Sequence, residues 1–404
     1  MSSSHPLSDS MPGRRKIIFL IAEDWYFWSH RLSLARAALR NGYEVIIATR
    51  VSKHGQKILD EGFRLVPLSL SRESYSPLKE LRTIIELRRL YGKERPDVVH
   101  QVALKPVLYG SIAALGRGNI KVINALAGLG YLVASSTLKA RILRIGVWSA
   151  FGFLLRRSGS RVIFQNEEDR DAIITTLKVP LESTVLIRGA GVDLETFCPA
   201  AQEPAGTPVV ILPSRMLWNK GVKEFVEAAR LLRAEGVKAR FVMAGDTDSA
   251  SPSAMPRQQL AAWHEEGVIE WWGRLEEMAS VYQGATLVCL PSHGGEGVPK
   301  SLLEAAACGR AIVTTNVPGC RDVVHDKVNG LLVPAKNVTE LATAIRRLLE
   351  DPILRYRMGI AGREIASREF SEQLVVKNTL LLYNDSAKPP GQTFIESAYA
   401  GKQT

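Results

Sequence analysis

Residues 286–308 read Thr286-Leu-Val-Cys-Leu-Pro-Ser-His-Gly-Gly-Glu-Gly-Val-Pro-Lys-Ser-Leu-Leu-Glu-Ala-Ala-Ala-Cys308. The run Thr286–Leu290 has the length and apolar character of a buried strand. Gly294, Gly295 and Gly297 then permit a tight turn and a close approach of backbone to a ligand. Pro299 suits the first position of a helix, which the spacing carries to Cys308. A strand, a glycine loop and a helix whose free N–H groups face the strand end make a ready diphosphate site. This unit is one step of a parallel, doubly wound sheet.

The same alternation extends on both sides. Strands are predicted at Pro208–Leu212, Arg240–Ala244, Gly267–Trp272 and Ala311–Thr314, with helices at Val222–Glu235 and Val338–Leu349. Earlier in the chain, strands are predicted at Lys16–Ile21, Tyr43–Thr49, Asp97–His100, Lys121–Ala125 and Arg161–Gln165. Helices fall at Arg31–Asn41 and Ser76–Tyr91. The Gly-, Ala- and Pro-rich stretch from Gly189 to Gly206 breaks the pattern. The expected layout is an α/β chain of two Rossmann-like domains, 14–190 and 207–370, joined by a linker at 191–206. A helix at 371–384 follows, with loose polar ends at 1–13 and 385–404. Ligands of such sheets bind beyond the carboxyl ends of the strands, so the two domains face a cleft.

The 404 residues are 46% hydrophobic and 23% charged, and no secretory leader is evident at the start. Cys198, Cys289, Cys308 and Cys320 lack CxxC spacing and read as reduced core thiols, with no zinc site. The net charge of +11 lies wholly in residues 1–200, which hold 29 Lys+Arg against 18 Asp+Glu. A basic half suggests an anionic partner, or simply a basic surface.

Glu296 and Glu304 sit eight residues apart, one in the loop and one inside the helix. Two carboxylates so placed can hold different parts of one elongated ligand. The stretch EGVPKSLLEAAACGRAIVTTNVPGCRDVV, with its E-x7-E motif, resembles the donor-binding region of family 4 glycosyltransferases of GT-B fold. Ile18–Arg31, Val122–Tyr131 and Arg161–Asp169 are similar to the branch that builds capsular and lipid-linked oligosaccharides, including N-acetylgalactosaminyltransferases acting on undecaprenyl-diphosphate sugars. The resemblance spans nearly the whole chain. It implies that 14–190 binds acceptor, 207–370 binds a nucleotide sugar, and the last helix crosses back to the first domain. Glu304 would hold the donor ribose, Glu296 the transferred sugar, and Gly297, Val298 and Pro299 would lie against sugar and diphosphate.

Arg215 and Lys220, after the strand Pro208–Leu212, match the cation pair of that family. A guanidinium and an ammonium at a strand end can stabilise a departing diphosphate. The resemblance places His100 near the reaction centre, with Lys105 beside it. Gly128-Leu-Gly130-Tyr131 fails as a dinucleotide fingerprint, because residue 133 is Val and no acid follows at the needed distance. It reads as an acceptor loop, with Tyr131 as candidate. Asn166 either faces the cleft or caps the next helix. In Asp24–Arg31 the aromatics either stack on acceptor sugars or pack, and His30 is a further candidate. Asp246-Thr-Asp248 is a literal DxD. After Gly245, a donor-side candidate, it reads as a turn near the base, without a metal. Lys139–Ser158 reads as an interfacial amphipathic stretch, a buried Rossmann helix, or both.

The expectation is a retaining glycosyltransferase that moves a hexose or N-acetylhexosamine, on UDP by branch resemblance, to a polyprenyl-diphosphate sugar. It needs neither cofactor nor metal, does not bind nucleic acid, and works as a cytoplasmic enzyme on the inner face of an anionic membrane. The alternatives are a nucleotide-sugar epimerase and an inactive sugar-binding subunit.

Overall fold

The computed structural model describes residues 14–72, 76–128, 138–157, 159–295 and 297–384. The first sheet holds β1 (Lys16–Glu23), β2 (Glu44–Arg50), β3 (Arg64–Pro67), β4 (Val98–Val102), β5 (Lys121–Ala125), β6 (Ser160–Phe164) and β7 (Thr184–Leu186). Its spatial order is β3-β2-β1-β4-β5-β6-β7, all parallel. The second sheet holds β8 (Val209–Pro213), β9 (Arg240–Ala244), β10 (Glu270–Gly273), β11 (Leu287–Leu290), β12 (Ala311–Thr315) and β13 (Gly330–Val333). Its order is β10-β9-β8-β11-β12-β13, again parallel throughout. Both are doubly wound sheets whose strand order reverses beside the first strand of each domain.

The apolar runs explain the layering. Ile17, Phe19 and Ile21 of β1 enter the core on one face, while Ile18, Leu20 and Ala22 enter the core on the other. A strand covered by helices on both faces has no polar side to alternate with. In the second domain Val210 and Leu212 face one core, and Val209 and Ile211 the opposite one.

The helix Pro352–Glu369 is not predicted by the apolar periodicity of the sequence. Its buried stripe includes Gly359, Gly362 and Ala366, small residues that register weakly as a hydrophobic pattern. They permit close contact: a Cβ on Gly359 would stand 2.2 Å from the Gly309 carbonyl oxygen.

The chain crosses between domains twice, and the crossings pair. Val192 N–H donates to the Phe370 carbonyl and Glu372 N–H to the Val192 carbonyl, each at 2.9 Å. The segment after Val192 is laid on the second domain, with Arg363 donating to the carbonyls of Leu194 and Phe197. The helix Glu372–Asn384 then packs on the first domain, placing Val375, Leu382 and Tyr383 in its core.

In the helix Leu138–Leu155, Phe151, Leu154 and Leu155 are buried against β6 and its neighbours, while Phe153 is exposed. Arg156 donates to the Leu177 carbonyl, and Arg157 to those of Ala114 and Arg117. Among the described residues no helix is long and apolar enough to cross a membrane.

Candidate active site

The carboxyl ends of the two sheets enclose a cleft of about 500 Å³. The second domain supplies Ser214, Arg215, Asn219, Lys220, Gly295, Gly297, Val298, Pro299 and Lys300 to its wall. The first supplies Glu23, Trp25, Tyr26, His30, Arg72, Val102, Ala103 and Gln165.

The cation loop after β8 is fixed by two glycines. Gly221 has φ +72°, and a Cβ there would fall 1.9 Å from the Pro291 carbonyl oxygen. Gly245 has φ +148°, and its Cβ would fall 1.8 Å from the Ser214 carbonyl oxygen. No side chain fits either gap, so the loop carrying Arg215 and Lys220 is clamped between the glycine loop and the end of β9. Gly245 therefore serves packing: it does not line the cleft, and its carbonyl accepts the Trp271 indole N–H at 2.8 Å.

The helix after the glycine loop starts at Lys300, one residue later than expected, with Pro299 as its extended N-cap. Glu304 lies in its second turn. It accepts a hydrogen bond from the Tyr282 hydroxyl at 3.0 Å and has Lys300 Nζ at 3.7 Å. Burial raises its carboxyl above the usual range, against the opposing pull of Lys300 and Tyr282. Lys300 Nζ also donates across the cleft to the Ser29 carbonyl at 2.6 Å.

On the facing wall, Asp24 is wholly buried and shapes the loop after β2. One of its oxygens accepts the backbone N–H groups of Ser52, Lys53 and His54 at 2.7–2.8 Å, and the other the Ser52 hydroxyl. Burial alone would raise this carboxyl, but the hydrogen bonds outweigh it and hold it low. His30 stacks on Tyr26 at 4.2 Å and shares a 2.6 Å hydrogen bond with Ser29 Oγ. Burial, with Lys300, Arg31 and Arg215 close by, keeps its imidazole well below the ordinary range and therefore neutral. Ala103, just past β4, has φ 74° and ψ 164°, a conformation other residues leave to glycine. Glu23 ends β1 almost completely buried, and burial raises its carboxyl despite the cations Arg50 and Arg72.

Several expected site residues lie elsewhere. His100 is only 1% exposed and sits in the core beneath the cleft, stacked on Phe19. Its Nδ1 shares a 2.6 Å hydrogen bond with the Tyr383 hydroxyl, and burial keeps it neutral. β4 runs two residues beyond His100, so Val102 and Ala103 occupy the cleft wall where the histidine was expected. Lys105 Nζ is tied to the Ser71 carbonyl at 2.9 Å and to Glu80 at 3.1 Å, bracing a loop rather than lining the cleft. Asn166 caps the helix Glu167–Leu177: its Oδ1 accepts Asp169 N–H at 2.8 Å. Its neighbour Gln165, unremarked in the sequence, reaches the cleft, and its Oε1 accepts Val298 N–H at 2.7 Å. Asp246 pairs with Arg257, and Asp248 with Arg215 and Arg72, so the DxD carboxylates serve arginines. Glu296 and Tyr131 lie outside the described residues.

Comparison with known proteins agrees with this layout. Residues 16–166 match the family model described as glycosyl transferase 4-like, and residues 207–351 the model of glycosyl transferases group 1. The chain is 27% identical over 381 residues to the Campylobacter jejuni N,N'-diacetylbacillosaminyl-diphospho-undecaprenol alpha-1,3-N-acetylgalactosaminyltransferase, covering 91% of this chain and 98% of that protein. It is 24% identical to the Escherichia coli UDP-Gal:alpha-D-GlcNAc-diphosphoundecaprenol alpha-1,3-galactosyltransferase, covering 73% and 77% of the two chains. Among solved structures, sucrose-phosphate synthase from Thermosynechococcus elongatus superposes with a TM-score of 0.76 at 21% identity, covering 92% of this chain and 98% of that one. Anabaena HepE in complex with UDP and glucose gives 0.73 at 17%, covering 92% and 100%, and these likenesses show the fold. With both domains matched in order across the cleft, the chain belongs to the glycosyltransferases of the 4-like and group 1 domains, family 4 enzymes of GT-B fold.

Proposed function

We propose that this glycosyltransferase moves a hexose or N-acetylhexosamine from a UDP-sugar to a sugar carried on a polyprenyl diphosphate, with retention at the anomeric carbon. The observation that carries the reading is the convergence of Arg215, Lys220, Gly295, Gly297 and Val298 on one wall of the cleft, with Glu304 in the second turn of the helix that follows. A diphosphate lodged there meets two cations and a helix start, while a ribose can reach the carboxylate. The acceptor class is supported by the undecaprenol-linked acceptors in the names of the two relatives.

In this reading the nucleoside diphosphate is the leaving group, and Arg215 and Lys220 stabilise the charge that develops on it. The departing phosphate takes the proton of the acceptor hydroxyl, attacking from the same face. Trp25 and Tyr26, on the opposite wall, offer flat surfaces for acceptor sugar rings. The charge is balanced by side chains, so transfer proceeds in EDTA. The basic first half suits an anionic membrane surface on the cytoplasmic side.

The test offers purified protein UDP-, GDP- and dTDP-sugars with a polyprenyl-diphosphate sugar, alongside Lys220→Ala. Acceptor-dependent nucleotide release from one donor, lost in the variant, supports the reading, and the anomeric configuration of the product decides retention. A changed sugar formed without acceptor identifies an epimerase. Donor binding that never leads to transfer identifies an inactive subunit.

A further inference from the structure

Two guanidinium groups from opposite domains share one carboxylate in the cleft region. Arg215 Nη1 lies 2.6 Å from Asp248 Oδ2, and Arg72 Nη2 lies 3.2 Å from both Asp248 oxygens. Arg72 is also held from behind. Its Nε stands 3.4 Å from Glu23, and its guanidinium carbon 5.4 Å from the centre of the Trp25 ring. Its position is therefore set within its own domain, independently of Asp248. Asp248 in turn belongs to a short turn, where Ser251 N–H donates to its carbonyl at 2.8 Å. Arg72 and Arg215 line the same cleft as Lys220 and Lys300. The Asp248 carboxylate thus marks a point at which one oxyanion meets two arginines, one from each domain.

We propose that Arg72 is a third cation of the diphosphate clamp, contributed by the first domain, and that Asp248 is a stand-in anion holding Arg72 and Arg215 until the donor diphosphate replaces it. The proposal rests on reading Arg215 and Lys220 as the donor clamp. Exchange leaves both arginines paired, because the carboxylate turns out to water as the phosphate oxygens turn in. A guanidinium suits this handover, since its planar fork binds carboxylate and phosphate with the same geometry. It follows that the diphosphate, and not the nucleoside, takes over the link between the domains that the Arg72–Asp248 pair makes before donor binds.

The experiment is calorimetric titration of UDP and of uridine into the wild type and the variants Arg72→Ala, Arg72→Lys, Arg215→Ala and Asp248→Asn. GDP and dTDP with their nucleosides replace them if the donor panel selects those. Arg72→Ala is expected to weaken the diphosphate roughly tenfold, as Arg215→Ala does, and to leave the nucleoside unchanged. Arg72→Lys keeps the charge without the fork and falls between. Asp248→Asn is expected to tighten the diphosphate several-fold by removing its competitor. If Arg72→Ala does not fold, the lysine and asparagine variants carry the same test. Unchanged diphosphate affinity in the Arg72 variants beside a weakened Arg215→Ala overturns the proposal and leaves the donor clamp standing. A rise confined to the KM of the lipid-linked acceptor gives Arg72 to the acceptor and overturns it too. Weaker diphosphate binding by Asp248→Asn removes the stand-in. A wild type that binds none of the three diphosphates brings down the donor reading, and this proposal with it.

Discussion

The side-chain carbonyl of Gln165, just past β6 in the first domain, accepts the backbone N–H of Val298 in the glycine loop of the second at 2.7 Å. The fit is close: a Cβ on the adjacent Gly297 would stand 2.0 Å from that same oxygen. An amide expected to lie against the donor is therefore occupied by the opposite domain before the donor arrives.

Gln165→Glu replaces a neutral acceptor with an anionic one at the same reach, and a charged acceptor holds the amide more strongly. We expect the donor KM to rise several-fold while the melting temperature stays the same or increases. Steady-state kinetics with varied donor decides it, and an unchanged KM would mean that Val298 N–H lies outside the donor site.

Burial raises the Glu304 carboxyl above its ordinary range, so ionising it costs the folded protein stability. A carboxyl whose folded pKa is raised binds its proton more tightly in the native state. Stability therefore falls as pH rises from the ordinary carboxylate range through that raised value. Glu304→Gln keeps an acceptor for the Tyr282 hydroxyl without the charge. The variant should melt a few degrees higher than wild type at pH 7.5, with the gap closing in acid, and should bind UDP roughly tenfold more weakly, about 1.4 kcal/mol. Thermal melts across pH with parallel UDP titrations read both. A variant that loses stability at pH 7.5 while binding UDP normally would make Glu304 a purely structural residue.

His100 is neutral in the folded protein, while an unfolded histidine takes a proton near pH 6.5. Its contribution is thus full above that pH and is lost as pH falls. His100→Phe keeps the ring contact with Phe19 but leaves the Tyr383 hydroxyl unpaired, which costs about 1–3 kcal/mol at pH 7.5. We expect a lower melting temperature, a flatter acid limb, and kcat close to wild type for the folded fraction. A large loss of kcat would return the histidine to the chemistry.

Ala103 holds a backbone conformation that carries a penalty of about 1–3 kcal/mol for any residue with a Cβ. Ala103→Gly should stabilise the protein by about 1 kcal/mol in urea unfolding, after subtracting the extra chain entropy of glycine. Destabilisation would show that the strain is absent.

The doubly wound sheets were readable because strands covered on both faces spell continuous apolar runs, and the glycine loop announces the turn between β11 and its helix. Arg215, Lys220, Gly297, Val298, Pro299 and His30 all line the cleft, because each lies in the loop or short helical turn that leaves the carboxyl end of a strand. The misses share a cause in register. The apolar run predicts a strand ending at His100, but β4 continues to Val102, which carries the site on by about 6–7 Å at the usual rise of a strand. Of the polar neighbours Gln165 and Asn166, one had to cap the helix and the other was left for the cleft, a choice decided by side-chain direction. Arg72 lies in a loop without periodicity, and its partner Asp248 is 176 positions away. Contacts of that separation leave no local mark in a sequence.

The return of the helix Glu372–Asn384 to the first domain bears on the order of biosynthesis. A ribosome that has finished residue 190 has made every strand of the first sheet, yet Val375, Leu382 and Tyr383 of its core are still untranslated. The second domain can close as it emerges, while the first waits for residue 384 with an open apolar groove beside β1. The half translated first is thus the last to be completed, and a chaperone acting on the nascent chain should be found on it.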